Sequence, residues 1–226
     1  MTVVDGIFGT LASIISNIED GVQISENLKE LISENISVNR SAYFIYTNSA
    51  GEKLDNPIVV GNKTEGALLN LIKKWANFEE IKNTIFDANS DKIFAFDSDK
   101  KRSTAIIHKK DGSVRLYCKG AAEILLAGCT GYTDGNGITR PLTSEMNQMI
   151  DKKILSMANN AYRTILIAHT DFASISLLPV NWKENPPDTE NLICDCVVGI
   201  VGKHFLYFVR DFIALSEIRL THCCAH

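Results

Sequence analysis

The chain holds 226 residues, 45% hydrophobic and 22% charged, with a mean hydropathy of +0.00, a balance that folds in water and excludes disorder, collagen and coiled coil. A chain of this size buries roughly 70% of its unfolded surface, enough for one substantial core or one domain with an appendage, and tight for two full domains. Its 23 Lys and Arg stand against 27 Asp and Glu, a formal charge of -4, so no basic field holds a nucleic-acid backbone and any phosphate site must be local.

Met1 to Ser16 opens as a short apolar strand with a break at Gly6 and Gly9, followed by an Ile/Leu run of ambiguous periodicity. After Ser25, a helix cap, Leu28, Leu31, Ile32 and Ile36 fall at helical spacing while Glu26, Lys29, Glu30 and Glu34 face outward. A second amphipathic helix follows Gly61-Asn62-Lys63-Thr64, with Ala67, Leu68, Leu71, Ile72, Trp75 and Ala76 on its apolar face and Glu65 in its first turn, where the helix dipole favours a carboxylate. Lys92 to Asp97 alternates like a strand. Thr104 to His108 and Ser113 to Cys118 flank Lys110-Asp111-Gly112, a strong hairpin signal.

Lys119 to Glu123 turns from strand into a helix through Leu126, and the turn-rich stretch Tyr132 to Ile138 reads as another hairpin. Thr143 to Asn160 is a helix with Met146, Met149, Ile150, Ile154 and Met157 on its buried side, and Thr164 to Ala168 is a β-branched strand behind it. The Pro-bearing stretch Leu178 to Asn191 is a polar connection, and Leu192 to Val201 is a last buried strand. Beyond Gly202 the composition changes and periodicity is lost.

Six cysteines, Cys118, Cys129, Cys194, Cys196, Cys223 and Cys224, are irregularly spaced with no signal peptide ahead of them, which predicts a reducing, cytoplasmic setting. The longest apolar run, His204 to Leu215, is interrupted by Arg210 and Asp211, so no membrane span and no membrane contact by this chain are expected. The sequons at Asn35, Asn39 and Asn62 are then incidental.

Known chemical motifs are mostly missing. No P-loop exists, Gly135 and Gly137 lack the third glycine of a dinucleotide fingerprint, and no Gly-x-Ser-x-Gly elbow marks a hydrolytic nucleophile. His222, Cys223, Cys224 and His226 carry metal-ligand types at spacings that do not converge on zinc, so no metal site is predicted. Cys194 and Cys196 read as ordinary buried thiols on a strand, their relative faces left open by register.

Several bland segments recur together in one order: Val60 to Leu69, Phe96 with Lys100-Lys101, Tyr117-Cys118-Lys119-Gly120-Ala121-Ala122-Glu123, and Tyr162-Arg163-Thr164-Ile165. Met1 to Val4 and Cys196 to Ile200 add two flanking matches. Together these resemble the nucleotide-binding domain of P-type ATPases, most closely the plasma-membrane-type calcium pumps, over about residues 1–200. The resemblance implies an α/β (α+β) fold, a mainly antiparallel sheet flanked by helices, with residues 201–226 a divergent tail. It further implies ATP as ligand, with Phe96 stacked on the adenine, Glu65 facing its amino edge, Lys119 at the pocket floor, and Lys101 and Arg163 reaching the phosphates. Lys100 is the adjacent alternative, which strand alternation would send to the opposite face; Lys101 is preferred.

In that family catalysis is phosphoryl transfer to the aspartate of an Asp-Lys-Thr-Gly-Thr motif, assisted by magnesium held in a neighbouring domain. The 226 residues contain neither that motif nor the Gly-Asp-Gly-x-Asn-Asp magnesium segment, and no pump membrane helix. The family's aspartate would lie a few residues before Met1. At Val201-Gly202-Lys203-His204-Phe205 the chain departs from the Asp-Pro and Arg expected there. The expectation is an ATP-binding cytoplasmic domain, incomplete for catalysis and without a magnesium site of its own, whose family context is the cytoplasmic face of an integral membrane calcium pump. The alternatives are a non-catalytic interaction or regulatory fragment with the same fold and little nucleotide affinity, and an unrelated α/β enzyme whose matches are coincidental.

Overall fold

A computed structural model describes residues 1–9 and 24–202. The strand Leu192–Val201 (β10) organises it. Its sequence is an almost unbroken apolar run, and all of it but Ile193 is buried, the pattern of a strand covered on both faces. Along one edge it pairs antiparallel with Arg163–Phe172 (β9). Along the other it pairs first in parallel with Cys129–Thr133 (β7), then antiparallel with Thr2–Phe8 (β1). Lys92–Asp97 (β4), Arg102–His108 (β5), Val114–Ala121 (β6) and Thr139–Pro141 (β8) complete an eight-stranded sheet in the order β4-β5-β6-β9-β10-β7-β8, with β1 on β10. All pairs but β10 with β7 are antiparallel, which is the fold class expected.

Helices cover both faces. Glu26–Val38 (α1) and Lys63–Ile72 (α2) bury Leu28, Ile32, Ile36, Leu68 and Ile72 against Ile167, Cys196, Val198 and Ile200. Ala122–Leu126 (α4) and Ser144–Asn159 (α5) bury Leu125, Ile150, Ile154 and Met157 against Leu116, Leu166, Cys194 and Val197. Cys194 and Cys196 therefore face opposite sides of the sheet, although they are two residues apart. A register shift between them inserts Asp195, whose carboxylate accepts from Thr133 Oγ1 at 2.6 Å and meets His169 Nδ1 at 2.9 Å in a buried cluster.

The hairpin, helix starts and final strand match their predicted places. Three features differ. Residue Gly6 does not break β1, which runs through it; an ideal Cβ there would lie 2.7 Å from Val197 O, so glycine permits the close pairing with β10. On α5, Met149 is exposed while Ile150, Ile154 and Met157 are buried. Helix α2 ends at Ile72, before Trp75 and Ala76. A separate two-stranded hairpin, Tyr43–Thr47 (β2) and Lys53–Val60 (β3), and a short helix, Phe78–Ile85 (α3), had no predicted counterpart. The Ile/Leu run up to Ser16 beyond Gly9, and the tail from Lys203 with His222, Cys223, Cys224 and His226, lie outside the described residues.

The three sequon asparagines each fasten one part of the chain to another, Asn35 and Asn39 in the interior and Asn62 at the surface. Asn35 Nδ2, fully buried, donates to Cys118 O at 3.2 Å and Ala168 O at 2.9 Å, tying α1 to the sheet. Asn39 Nδ2 donates to Ser103 O at 3.1 Å, and Asn62 Oδ1 caps α2 by accepting from Thr64 N at 2.8 Å. A buried side chain spanning two strands outweighs an exposed cap. Asn35→Ala is therefore expected to cost about 2 kcal/mol and Asn62→Ala about 1 kcal/mol, read as urea midpoints at unchanged slope.

Candidate functional site

Because neighbouring strands run antiparallel, the end of β6, the start of β9, the end of β10 and the start of β1 meet at one edge of the sheet. A cavity of about 1000 Å³ opens there. Its walls come from the first turns of α2, the β4–β5 turn, the end of β6 and one side of α5. Glu65, Phe96, Lys101, Lys119 and Arg163, separated by up to 98 positions in the chain, all line it.

Local structure explains each placement. Phe96 closes β4 and is 54% exposed, an aromatic ring kept out of the core. Just after it, Asp97 Oδ1 accepts from Asp99 N at 2.7 Å and Lys100 N at 3.1 Å, which forms a turn rather than a strand. That turn ends with Lys101 at φ 53, so the Lys100 and Lys101 side chains are sorted by turn geometry and not by alternation; Lys101 lines the cavity. Gly120 makes this possible, because a Cβ there would stand 2.4 Å from Lys101 O. Arg163, exposed at the start of β9, donates from one guanidinium nitrogen to Thr64 Oγ1 at 2.6 Å.

The floor is electrostatic. Lys119 is buried near the end of β6, its Nζ 2.7 Å from Glu65 Oε1 and donating also to Asn39 O. The other carboxylate oxygen of Glu65, Oε2, accepts from Ser41 N at 2.8 Å, Ser41 Oγ at 2.7 Å and Ala42 N at 2.9 Å. Burial pushes the Glu65 carboxyl up, but the Lys119 charge and these hydrogen bonds outweigh it and hold the pKa at about 2. Burial pushes the Lys119 ammonium down, against the attraction of Glu65.

Sequence reasoning did not find the partners Asn39, Ser41 and Thr64, nor the α5 wall of Asp151, Leu155 and Ala158. Asn39 O, Ser41 N and Ala42 N carry no local signal because they are backbone atoms brought in by the α1–β2 connection. Among the described residues, no group of three or more His, Cys, Asp or Glu side chains converges to hold a metal ion. Among them, too, no helix is long and apolar enough to cross a membrane.

Comparison with known proteins gives this arrangement a family. The family described as P-type ATPase, cytoplasmic domain N, matches residues 27–203, and the chain belongs to it. The chain is 34% identical over 179 residues to plasma membrane calcium-transporting ATPase 3 of Rattus norvegicus, covering 78% of this chain and 14% of that protein. To plasma membrane calcium-transporting ATPase 2 of Oreochromis mossambicus it is 34% identical over 173 residues, 76% of this chain and 15% of the relative. The calcium-transporting ATPase PAT1 of Dictyostelium discoideum is 31% identical over 199 residues, 87% of this chain and 16% of its own length. The chain thus spans about a seventh of the length of these relatives.

The Glu65 carboxyl titrates at about 2 when folded and near its ordinary 4.5 when unfolded. Its contribution is therefore complete above about pH 5 and drains away as the pH falls towards 2. Glu65→Gln should remove that acid dependence. It should also destabilise at pH 7, and Lys119→Met in the same chain should recover part of the loss, since a lone buried ammonium costs more than an apolar replacement. Urea unfolding from pH 2.5 to 7, on the two single variants and the double, measures this.

Proposed function

We propose that the cavity binds ATP and that residues 1–200 are the nucleotide-binding part of a calcium-transporting P-type ATPase, acting on the cytoplasmic face of a membrane. The observation that carries this reading is the exposed Phe96 ring at a cavity also lined by Lys101, Lys119 and Arg163. A purine needs a flat apolar face and its phosphates need positive charge at the exit, and these types supply both. Phe96 would stack on the base, Lys119 and Glu65 would form the floor, and Lys101 and Arg163 would meet the phosphates.

Magnitudes favour weak binding. Stacking on an aromatic ring is worth about 1–3 kcal/mol, and each charge-assisted hydrogen bond about 1.5–3 kcal/mol. After the cost of association the dissociation constant falls between roughly tens of micromolar and millimolar. A module of a larger pump suits such weak binding, because nucleotide must be handed on and released. Phosphoryl transfer requires an acceptor aspartate that the family's Asp-Lys-Thr-Gly-Thr motif would supply and these 226 residues do not contain. Magnesium enters this reading with the nucleotide phosphates, and no step here is assigned to it.

Titration with ATP while amide resonances are followed should shift signals around Phe96, Lys119 and Arg163, and Phe96→Ala should abolish the response. Silence up to about 10 mM nucleotide, beyond the weak end of the expected range, would instead support an interaction fragment with the same fold. Sustained phosphate release by the purified chain would contradict its catalytic incompleteness.

A further inference from the structure

Arg102 opens β5 and is only 9% exposed. Lys101 and Ser103 on either side of it line the cavity, and strand alternation sends Arg102 the other way, to the face of the sheet on which Ile106, Leu116 and Cys118 pack. The connection between β9 and β10 lies over that face, with Leu178 and Trp182 in the same apolar cluster. There the Arg102 guanidinium donates to Pro187 O at 3.1 Å and to Thr189 Oγ1. Among the described residues no carboxylate pairs with it, and its Nε has no partner. A buried charge held by neutral acceptors alone is a poor source of stability. What this side chain supplies is geometry, a planar fork that spans two acceptors two residues apart.

The turn that carries Lys101 is held at both ends. Asp97 Oδ1 fixes its start through Asp99 N and Lys100 N, and Lys101 O accepts from Ala121 N at 3.0 Å at its close. Between them Lys101 stands at φ 53, a left-handed conformation that a lysine keeps only where its neighbours impose it. The connection gripped by Arg102 is itself fixed: a Cβ on Gly128 would lie 2.0 Å from Thr189 O, Leu192 N donates to Gly128 O at 3.0 Å, and Thr170 Oγ1 donates to Asn191 O at 2.6 Å. We propose that Arg102 is a positioning residue for Lys101: by gripping Pro187 O and Thr189 Oγ1 on the far face of the sheet, it holds the β4–β5 turn so that Lys101 stays at the rim of the proposed nucleotide cleft. The proposal rests on the nucleotide reading above and deepens it.

Without the fork, residues 98–101 are free to leave their imposed geometry, and the Lys101 ammonium spreads over positions away from the phosphates. Phe96 precedes the Asp97 clamp and keeps its place on β4, so the base end of the cleft is untouched. This separates positioning from mere structural support. Loss of support would loosen the whole cavity and weaken base and phosphates alike, whereas loss of positioning weakens only a ligand that carries phosphates, and only while Lys101 is present.

The test titrates ATP and adenosine by amide shifts into wild type, Arg102→Met, Thr189→Val, Lys101→Met and the Lys101→Met/Arg102→Met double variant, with circular dichroism reporting folding. Arg102→Met should weaken ATP about fivefold and leave adenosine unchanged. In the Lys101→Met background the same change should add nothing, because its effect passes through that ammonium. Thr189→Val removes one acceptor of the fork from outside the cavity lining. It should weaken ATP about threefold with adenosine unchanged, and it carries the test should Arg102→Met unfold. Equal weakening of ATP and adenosine in Arg102→Met, an undiminished loss in the Lys101→Met background, or full ATP affinity in Thr189→Val would overturn the proposal while leaving the nucleotide reading intact. A wild-type chain that answers neither ligand would overturn that reading and this proposal with it.

Discussion

A single buried amine, Lys119, determines how this end of the molecule is built. An ammonium removed from water is tolerated only with a counterion and further acceptors at hydrogen-bond distance, and Glu65 and Asn39 O provide them. Meeting that requirement brings α2, β6 and the α1–β2 connection to one place. The same requirement leaves a cavity with a charged floor instead of a continuous apolar core.

The sheet supplies the rest. Its nearly all-antiparallel order aligns strand ends that are distant in sequence, so β6, β9, β10 and β1 contribute neighbouring backbone to one rim. The Asp97 turn and Gly120 set Lys101 beside that rim, and β4 delivers Phe96 with its ring uncovered. A loop alone would not hold four cationic and aromatic groups at fixed spacing; strand ends on a covered sheet do. The chain, a member of the P-type ATPase cytoplasmic domain N family, thus places a cavity where these strand ends meet.

Much of the fold was legible because its elements carry strong local signals. The Asp111-Gly112 hairpin, the capped helices after Ser25, Asn62 and Thr143, and the apolar run from Leu192 to Val201 each follow from residues adjacent in the chain. The β2–β3 hairpin escaped notice because Tyr43, Ile45, Tyr46 and Ile58 are exposed and show no clean inside-outside alternation. Gly6 misled because its role, close approach to Val197 O, depends on a strand almost two hundred residues away. At the site, Glu65, Phe96, Lys101, Lys119 and Arg163 stood out through their resemblance to a family pattern and line one cavity, whereas the backbone partners of Glu65 gave no signal. Glu65 Oε2 accepts from backbone N–H groups at Ser41 and Ala42, and a backbone donor leaves no mark in a sequence.

The central claim is that these side chains form one purine cleft with Phe96 as its face. Intermolecular nuclear Overhauser effects between bound ATP and the chain test it most directly. The account predicts cross-peaks from the purine H2 and H8 protons to the Phe96 ring. Cross-peaks to side chains elsewhere on the molecule, with the Phe96 ring silent under saturating ATP, would contradict it.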